Sequence, residues 1–345
     1  MSRRRAKKKR NTPWKWVMYT TIVLLASAIG YVVYQGTGAY IALDNFDKSD
    51  GESKFEQFED TVQKEPPKWE GRERVNILLL GGDARDSDKN GIARSDSIMV
   101  VSIDPQTKKA HLLSVLRDTY VTIPGHGKAR INTAITTGGA KLAMETVGDL
   151  MGLDIQYFVY AEFEGFKAMI DAIGGVNFDV EKNMRYTDNA DGNRYDIDLK
   201  KGYQLLDGDK ALQYVRFRHD KLSDFTRTER QRNFLKAVAT EMQSTWNLLR
   251  MKEILESVQP YIDTNLAVSD MLKLGQLGLS MHVAGSEQVP PLNLLYDAEI
   301  GGSSVLAVRD TQKVLEFVQE TLQKDEMVAA ENKPDDAGKS VEAAQ

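Results

Sequence analysis

The residues best suited to chemistry are arginines and aspartates that stand at the ends of apolar runs. Gly81-Gly82-Asp83-Ala84-Arg85 follows directly on residues 75–80 (VNILLL), and Arg94-Ser95-Asp96-Ser97 leads into 97–103 (SIMVVSI). Short apolar runs of this kind read as buried strands, and α/β sheets place ligands in the loops at strand ends. Two carboxylates brought together there can hold Mg2+, which takes one or two carboxylates together with phosphate oxygens. Solvated turn residues are the other reading, since Asp and Gly both favour turns. Arg117-Asp118 closes a third run, 111–116 (HLLSVL), either as a functional cation or as a structural ion pair.

The densest segment is 214–231, YVRFRHDKLSDFTRTERQ. Thr226-x-x-Glu229 forms a capping-box pattern, which predicts a helix starting at Thr226. Arg227 and Arg230 then fall in or beside the first turn, where the helix dipole disfavours a cation by up to about 1 kcal/mol. A helix N-terminus that also carries arginines attracts an anion, and phosphate is the natural one. Arg227 and Gln231, four apart, share a helix face; Arg216 and Arg218, two apart, share one side of an extended segment. A surface lattice of ion pairs is the alternative. Taken with the two aspartates, the pattern reads as a pyrophosphate–metal site.

Several other chemistries lose support. The chain has no G-x-S-x-G elbow, no Walker A loop and no H-E-x-x-H, and its four histidines (111, 126, 219 and 282) are scattered. Cysteine is absent, which removes disulfides, thiolate metal sites and a cysteine nucleophile.

The elements that position these residues alternate in period. Strands are predicted at 75–80, 97–103, 111–116, 155–161, 176–180 and 304–308. Helices are predicted at 139–151, 163–173 (stopped by Gly174-Gly175), 207–214, 226–242 and 311–322, with one or two more within 250–280. Such alternation argues for one α/β layered domain, here over 75–324, without internal repeats. Phe163, Phe166, Met169 and Ile173 read as core of the 163–173 helix rather than as ligand contacts.

The N-terminus sets topology. Eight Lys and Arg lie within residues 3–15, no charge occurs from Trp16 to Leu43, and 17–34 is almost wholly apolar. A hydrocarbon core roughly 30 Å thick needs about 20 such residues. The basic cluster holds the N-terminus inside and places the rest outside. Residues 1–15 are thus a basic cytoplasmic tail, 16–40 a transmembrane signal anchor, 41–74 a flexible linker and 325–345 a disordered tail. The expected location is the cell membrane, single-pass type II, with the domain extracytoplasmic. Ala26-Ser27-Ala28 resembles a signal-peptidase site but lies inside the apolar run, so an anchor is favoured over cleavage. Without the tail, 45 − 8 = 37 cations face 50 acids, a net of about −13, which argues against nucleic acid as a partner.

On these residues the chain resembles the LytR–CpsA–Psr family of cell-envelope phosphotransferases. The motifs run in order over about 75–245: G-x-D-x-R (81–85), R-S-D-S (94–97), S-x-x-R-D (114–118), K-x-R-I-N (128–132), E-G-F-x-x-x-I-D-x-I-G-G-V (164–176), L-D-G-x-x-A-L-x-Y-V-R-x-R (206–218) and D-x-x-R-T-x-R-Q (224–231). The resemblance implies a central mixed β-sheet sandwiched by helices, with a deep apolar pocket for a polyprenyl tail. It also implies an arginine rim that holds the pyrophosphate with Mg2+ (or Mn2+). Carried onto this chain, Asp83 and Asp96 are the metal-side carboxylates. Arg94, Arg117, Arg130, Arg216, Arg218, Arg227 and Gln231 grip the phosphates, Arg130 standing where the family usually has lysine. Arg117, Arg216, Arg218 and Arg227 are also the catalytic arginines. Asp224, beside the arginine helix, is the candidate general base, with helix capping or a structural pair as its alternative.

The implied reaction moves a glycopolymer, such as a teichoic acid or capsular polysaccharide, from a polyprenyl-pyrophosphate carrier to peptidoglycan in a Gram-positive envelope. The acceptor would be a muramic acid C6 hydroxyl and the product a phosphodiester. A pyrophosphatase that frees the lipid carrier and a non-catalytic carrier of lipid-linked polymer are the rival functions.

Overall fold

The apolar runs pair into a six-stranded sheet whose two faces are both covered, which is why its strands are nearly continuous in hydrophobicity. The computed structural model describes residues 34–44, 53–58, 69–87, 92–187, 192–193, 195–220 and 224–331. Helix α1 (34–44) comes first. There follow β1 (Val75–Ser87), β2 (Ala93–Asp104), β3 (Lys109–Val115), β4 (Thr119–Ile123), β5 (Gly127–Arg130), α2 (Ala134–Met151), β6 (Tyr157–Glu162), α3 (Phe163–Ala172) and β7 (Val176–Val180). Next come β8 (Met184–Tyr186), β9 (Ile197–Leu199), β10 (Gly202–Leu206), α4 (Gly208–Arg216), α5 (Asp224–Met242), α6 (Thr245–Leu248) and α7 (Met251–Val258). The chain continues through β11 (Ile262–Thr264), α8 (Val268–Gly278), β12 (His282–Gln288), β13 (Leu295–Ile300), β14 (Ser303–Val308) and α9 (Thr311–Glu331).

The central order is β11-β6-β1-β2-β3-β12. β1 lies antiparallel to β2 and parallel to β6, so the sheet is mixed, as expected. Side chains alternate between its faces. Leu78, Leu80, Ile98, Val100, Leu113 and Val115 pack with Val147 and Met151 of α2 and with Val314 and Val318 of α9. On the other face, Val75, Ile77 and Tyr157 meet Leu274 and Leu277 of α8. Leu79, Met99 and Val159 look instead toward α3, α4 and α5. The result is an α-β-α sandwich. The predicted strand at 304–308 joins a second sheet, β13-β14-β4-β5, rather than the central one.

One irregularity decides where the site residues point. Gly81 pairs with Ser97 while the adjacent Gly82 pairs with Ser95, so Asp96 is an extra residue on β2. This β-bulge breaks the period of two and turns Asp96 and Ser97 toward the same side of the sheet, both lining one cavity. Gly82 is required there, because a Cβ would stand 2.3 Å from the Tyr160 hydroxyl.

The segment read as a flexible linker is pinned where it is described. Phe55 is buried and meets Phe158 and Tyr160 edge-on, at centroid distances of 5.7 and 5.4 Å. Trp69 is buried, and its Nε1 donates to the Glu73 carbonyl at 2.9 Å. Leu43 packs beside Val258, and Gln35 Nε2 donates to Glu253 Oε1 at 3.1 Å, so α1 lies against α7. Periodicity misses these contacts because each rests on a single large side chain. The cytoplasmic tail and most of the expected anchor fall outside the described residues. Among those described, no helix is long and apolar enough to cross a membrane. At the other end, α9 continues to Glu331, past the expected onset of a disordered tail at 325; residues 332–345 lie outside the described set.

Gly82→Ala tests the bulge. The added methyl must displace Tyr160 or the bulge itself, at a cost of about 1–3 kcal/mol typical of overpacking. Urea denaturation should show a lowered midpoint, and an unchanged midpoint would contradict the close approach.

Candidate active site

Between the sheet and α3, α4 and α5 lies a cavity of about 590 Å³. Its interior is apolar, walled by residues such as Leu79, Met99, Val159, Phe166, Met169 and Val238. Its rim is charged and polar, carrying Asp83, Asp96, Arg216, Arg218, Arg227 and Gln231. Three residues read from the sequence as core, Phe163, Phe166 and Met169, line this space, whereas Ile173 is fully in the core. Helical spacing shows that α3 has an apolar face but not that part of the face meets a void.

Helix α5 begins at Asp224 rather than Thr226. The capping box does not form: the Thr226 hydroxyl donates to Asp220, and Glu229 is exposed. Asp224 thus lies within the helix, where it shares a face with Arg227 three residues on, and Arg227 Nη2 donates to Asp224 Oδ2 at 3.0 Å. Arg227 is only 2% exposed. Burial, reinforced by the neighbouring Arg218, pushes its pKa down to about 10 despite Asp224 and Asp96. At neutral pH it therefore stays charged, and its Nε has no hydrogen-bond partner among the described residues. A buried, incompletely partnered guanidinium is costly, and an anion in the cavity would remove that cost.

Arg227 ends a chain of alternating charges. Asp224 Oδ1 lies 3.6 Å from Arg218 Nε, and Arg218 Nη2 lies 3.5 Å from Asp96 Oδ1. Asp96 Oδ1 also accepts from Arg117 Nη1. Arg117 Nε stands 3.5 Å from Asp118 Oδ2, and Asp118 Oδ1 stands 3.3 Å from Arg130 Nη1. Burial alone would raise the Asp96 pKa, but Arg117, Arg218 and Arg227 hold it below the usual carboxylate value. Burial likewise works against the Arg117 cation, and Asp96 and Asp118 more than compensate, raising its pKa.

The remaining candidates separate. Gln231 is fixed at the rim, its Oε1 accepting from Ser97 Oγ at 3.0 Å and its Nε2 donating to the Val215 carbonyl at 3.3 Å. Arg216 donates to the Tyr195 carbonyl at 3.1 Å, its guanidinium 5.1 Å from the Phe163 ring and 4.9 Å from that of Tyr195. Arg94 is exposed and is not among the cavity-lining residues. Arg130 reaches the site only through Asp118. Arg230, read as part of the anion-attracting turn, is instead a buried structural cation, paired with Glu181 at 2.7 Å and with Asp220, and donating to the Phe217 carbonyl. Asp224, whose two oxygens face Arg218 and Arg227, fits the structural-pair reading better than that of a free base.

Sequence reasoning missed a stacked pair at the rim. The Tyr186 and His219 rings stack with centroids 4.1 Å apart and planes inclined by 25°, and both line the cavity. His219 directly follows the Arg216-x-Arg218 pattern, which was a usable signal. Tyr186 arrives from the distant β8–β9 hairpin and carried none.

The chain belongs to the LytR–CpsA–Psr family: the sequence profile of the LytR_cpsA_psr family matches residues 32–324. "Regulatory protein MsrR" of Staphylococcus aureus (strain Mu50) is 36% identical over 231 residues, 66% of this chain and 66% of that protein; the match thus spans about two thirds of that relative. The Bacillus subtilis (strain 168) protein named polyisoprenyl-teichoic acid–peptidoglycan teichoic acid transferase TagT is 29% identical over 94% of this chain and 98% of its own. A solved structure of TagT bound to LI-WTA superposes with a TM-score of 0.60 at 29% identity, over 75% of this chain and 93% of that one. TagT with bound octaprenyl pyrophosphate lipid gives 0.56 at 28%, over 74% and 91%.

The site's structural support is testable by pH. Although burial opposes it, hydrogen bonds from Lys182, Thr226 and Arg230 hold the Asp220 pKa at about 2, below the ordinary 3.8. A depressed carboxylate contributes stability that is complete above its unfolded value and lost as pH falls through its folded one. The stability difference between the parent and Asp220→Asn should therefore be constant above about pH 5 and shrink from about pH 4 toward pH 2. A difference unchanged at pH 2 would contradict the pairing.

Proposed function

We propose that this protein transfers a glycopolymer from a polyprenyl-pyrophosphate carrier to a peptidoglycan hydroxyl, the muramic acid C6-OH, forming a phosphodiester. The observation that carries the proposal is one continuous cavity with an apolar interior and an arginine–aspartate rim. That is the chemical profile of an isoprenoid tail joined to a pyrophosphate. The naming of TagT as a teichoic acid transferase, and its structure with a polyprenyl pyrophosphate lipid, support the same reading. A teichoic acid or capsular polysaccharide is the expected cargo. The charge-free run after the basic N-terminus supports a type II anchor that holds the domain outside the cell membrane of a Gram-positive bacterium.

Outside the membrane the donor must carry its own activation, and the P–O–P bond does. The acceptor oxygen attacks the sugar-proximal phosphorus, the bond to the bridging oxygen breaks, and lipid monophosphate leaves, its phosphate taking up the proton released by the acceptor hydroxyl. Catalysis of such a transfer consists of positioning and charge neutralisation rather than a covalent nucleophile. Arg227 offers its unpartnered Nε to the phosphates. Arg117 and Arg218, held by Asp96 and Asp224, supply further donors, and Arg216 is oriented by its aromatic cradle. Asp118 and Asp224 act as positioning residues for these guanidiniums.

Asp83 and Asp96 are the carboxylates that would hold a divalent cation, Mg2+ or Mn2+. Both line the cavity, and the arginines favour the ionised form of Asp96. No group of three or more acidic or histidine ligands occurs among the described residues, so phosphate oxygens and water would complete the shell, as is usual for Mg2+. When bound, the ion would neutralise charge on the phosphates.

The test is reconstitution of the full chain with a synthetic polyprenyl-pyrophosphoryl disaccharide and peptidoglycan oligomers, with and without Mg2+, read by mass spectrometry. A metal-dependent phosphodiester adduct is expected. Free sugar phosphate alone would indicate a pyrophosphatase, and unchanged bound donor a carrier. Arg117→Ala and Arg216→Ala should each lower transfer by roughly 100-fold or more, the usual effect of removing one transition-state donor, with unaltered circular dichroism. Normal transfer by either would refute its assignment.

A further inference from the structure

Away from the cavity, aromatic and cationic side chains gather where α1 meets the start of α7. Tyr34, the first described residue of α1, is 58% exposed, and Lys252 Nζ lies 5.2 Å from its ring. Trp246 on α6 is 65% exposed, with the Arg250 guanidinium 5.8 Å from its ring. Leu249, between them in sequence, is exposed as well. The sequence immediately before Tyr34 is the charge-free apolar run 17–33. Chain direction therefore says what this end of the molecule faces. Trp and Tyr beside Lys and Arg are the residues that settle at the headgroup level of a bilayer, and basic groups there draw anionic lipid.

We infer that Tyr34, Trp246, Leu249, Arg250 and Lys252 form a docking patch for the anionic surface of the lipid bilayer, which fixes the height and rotation of the domain above the membrane. The inference rests on residues 17–33 spanning that membrane. α1 transmits the position rigidly: Gln35 is hydrogen-bonded to Glu253, a Cβ on Gly38 would collide with the Lys252 side chain, and Leu43 packs beside Val258. The same cluster includes Met169 and Ile262, which also wall the cavity. Leu43 is nine residues beyond Tyr34, about 14 Å along a helix. Docking therefore holds the apolar end of the cavity within one leaflet's thickness of the bilayer surface, within reach of an isoprenoid chain still rooted in lipid.

The chain contains no cysteine, so a single introduced one is unique. The full chain is reconstituted in nanodiscs containing phosphatidylglycerol, with a nitroxide at Leu249→Cys, at Trp246→Cys or, as a reference on the distant β13–β14 hairpin, at Ile300→Cys. Relaxation by oxygen and by a water-soluble nickel chelate is then compared. Labels at 246 and 249 should favour oxygen and the label at 300 the chelate. Reversing the charges with Arg250→Glu and Lys252→Glu should abolish the oxygen preference at 249. A chain inserted in the nanodisc whose labels at 246 and 249 are as chelate-accessible as that at 300 overturns the patch while leaving the anchor intact. A chain that fails to enter the nanodisc refutes the spanning segment and the patch with it.

Discussion

The site depends on charge alternation: four guanidiniums held close together by three carboxylates. Arg130, Arg117, Arg218 and Arg227 are interleaved with Asp118, Asp96 and Asp224 in one continuous chain. Without the aspartates, the arginines would repel one another in a partly desolvated pocket, and each would be driven toward water or toward a lower pKa. With them, the donors are fixed before any ligand arrives, so binding a phosphate costs little reorganisation. The chain still carries one more cation than anion. That surplus is concentrated at Arg227, the most buried member, whose Nε, like that of Arg117, has no hydrogen-bond partner among the described residues.

The backbone makes this chain possible by two departures from regularity. The bulge between β1 and β2 brings Asp96 to the cavity side, where strict alternation would have set it against the opposite layer. The start of α5 at Asp224 then places Asp224 and Arg227 on one helix face, opposite Arg218. Behind both stands the core on the far face, where Tyr160 packs against Gly82 and Phe55 and so holds the bulge in place.

Much of this was legible in the sequence. The runs at 75–80, 97–103 and 111–116 announced the central strands because both faces of the sheet are apolar, and the Arg/Asp motifs announced residues that gather at the charged rim of the cavity. Other features were not legible, for physical reasons. Phe166 and Met169 have the spacing of core residues, and only packing shows that their neighbours leave a cavity. Thr226-x-x-Glu229 matched a cap, but the Thr226 hydroxyl is drawn to Asp220 within a buried ion network that local pattern does not encode. Arg230 carried the same type signal as Arg227, yet it points into that network, with Glu181 and Asp220 as partners. Phe55 and Trp69 anchor a segment whose composition reads as linker, since one buried ring outweighs many polar neighbours.

Calorimetry on the purified chain tests most directly whether the rim recognises a pyrophosphate while the interior holds the isoprenoid. Octaprenyl pyrophosphate and octaprenyl monophosphate would be titrated into the parent and into Arg227→Gln. The parent should bind the pyrophosphate lipid about tenfold more tightly or better, as one additional charged hydrogen bond provides. Arg227→Gln should lose that preference while retaining affinity for the monophosphate lipid. Equal affinity of the parent for the two lipids would contradict the account.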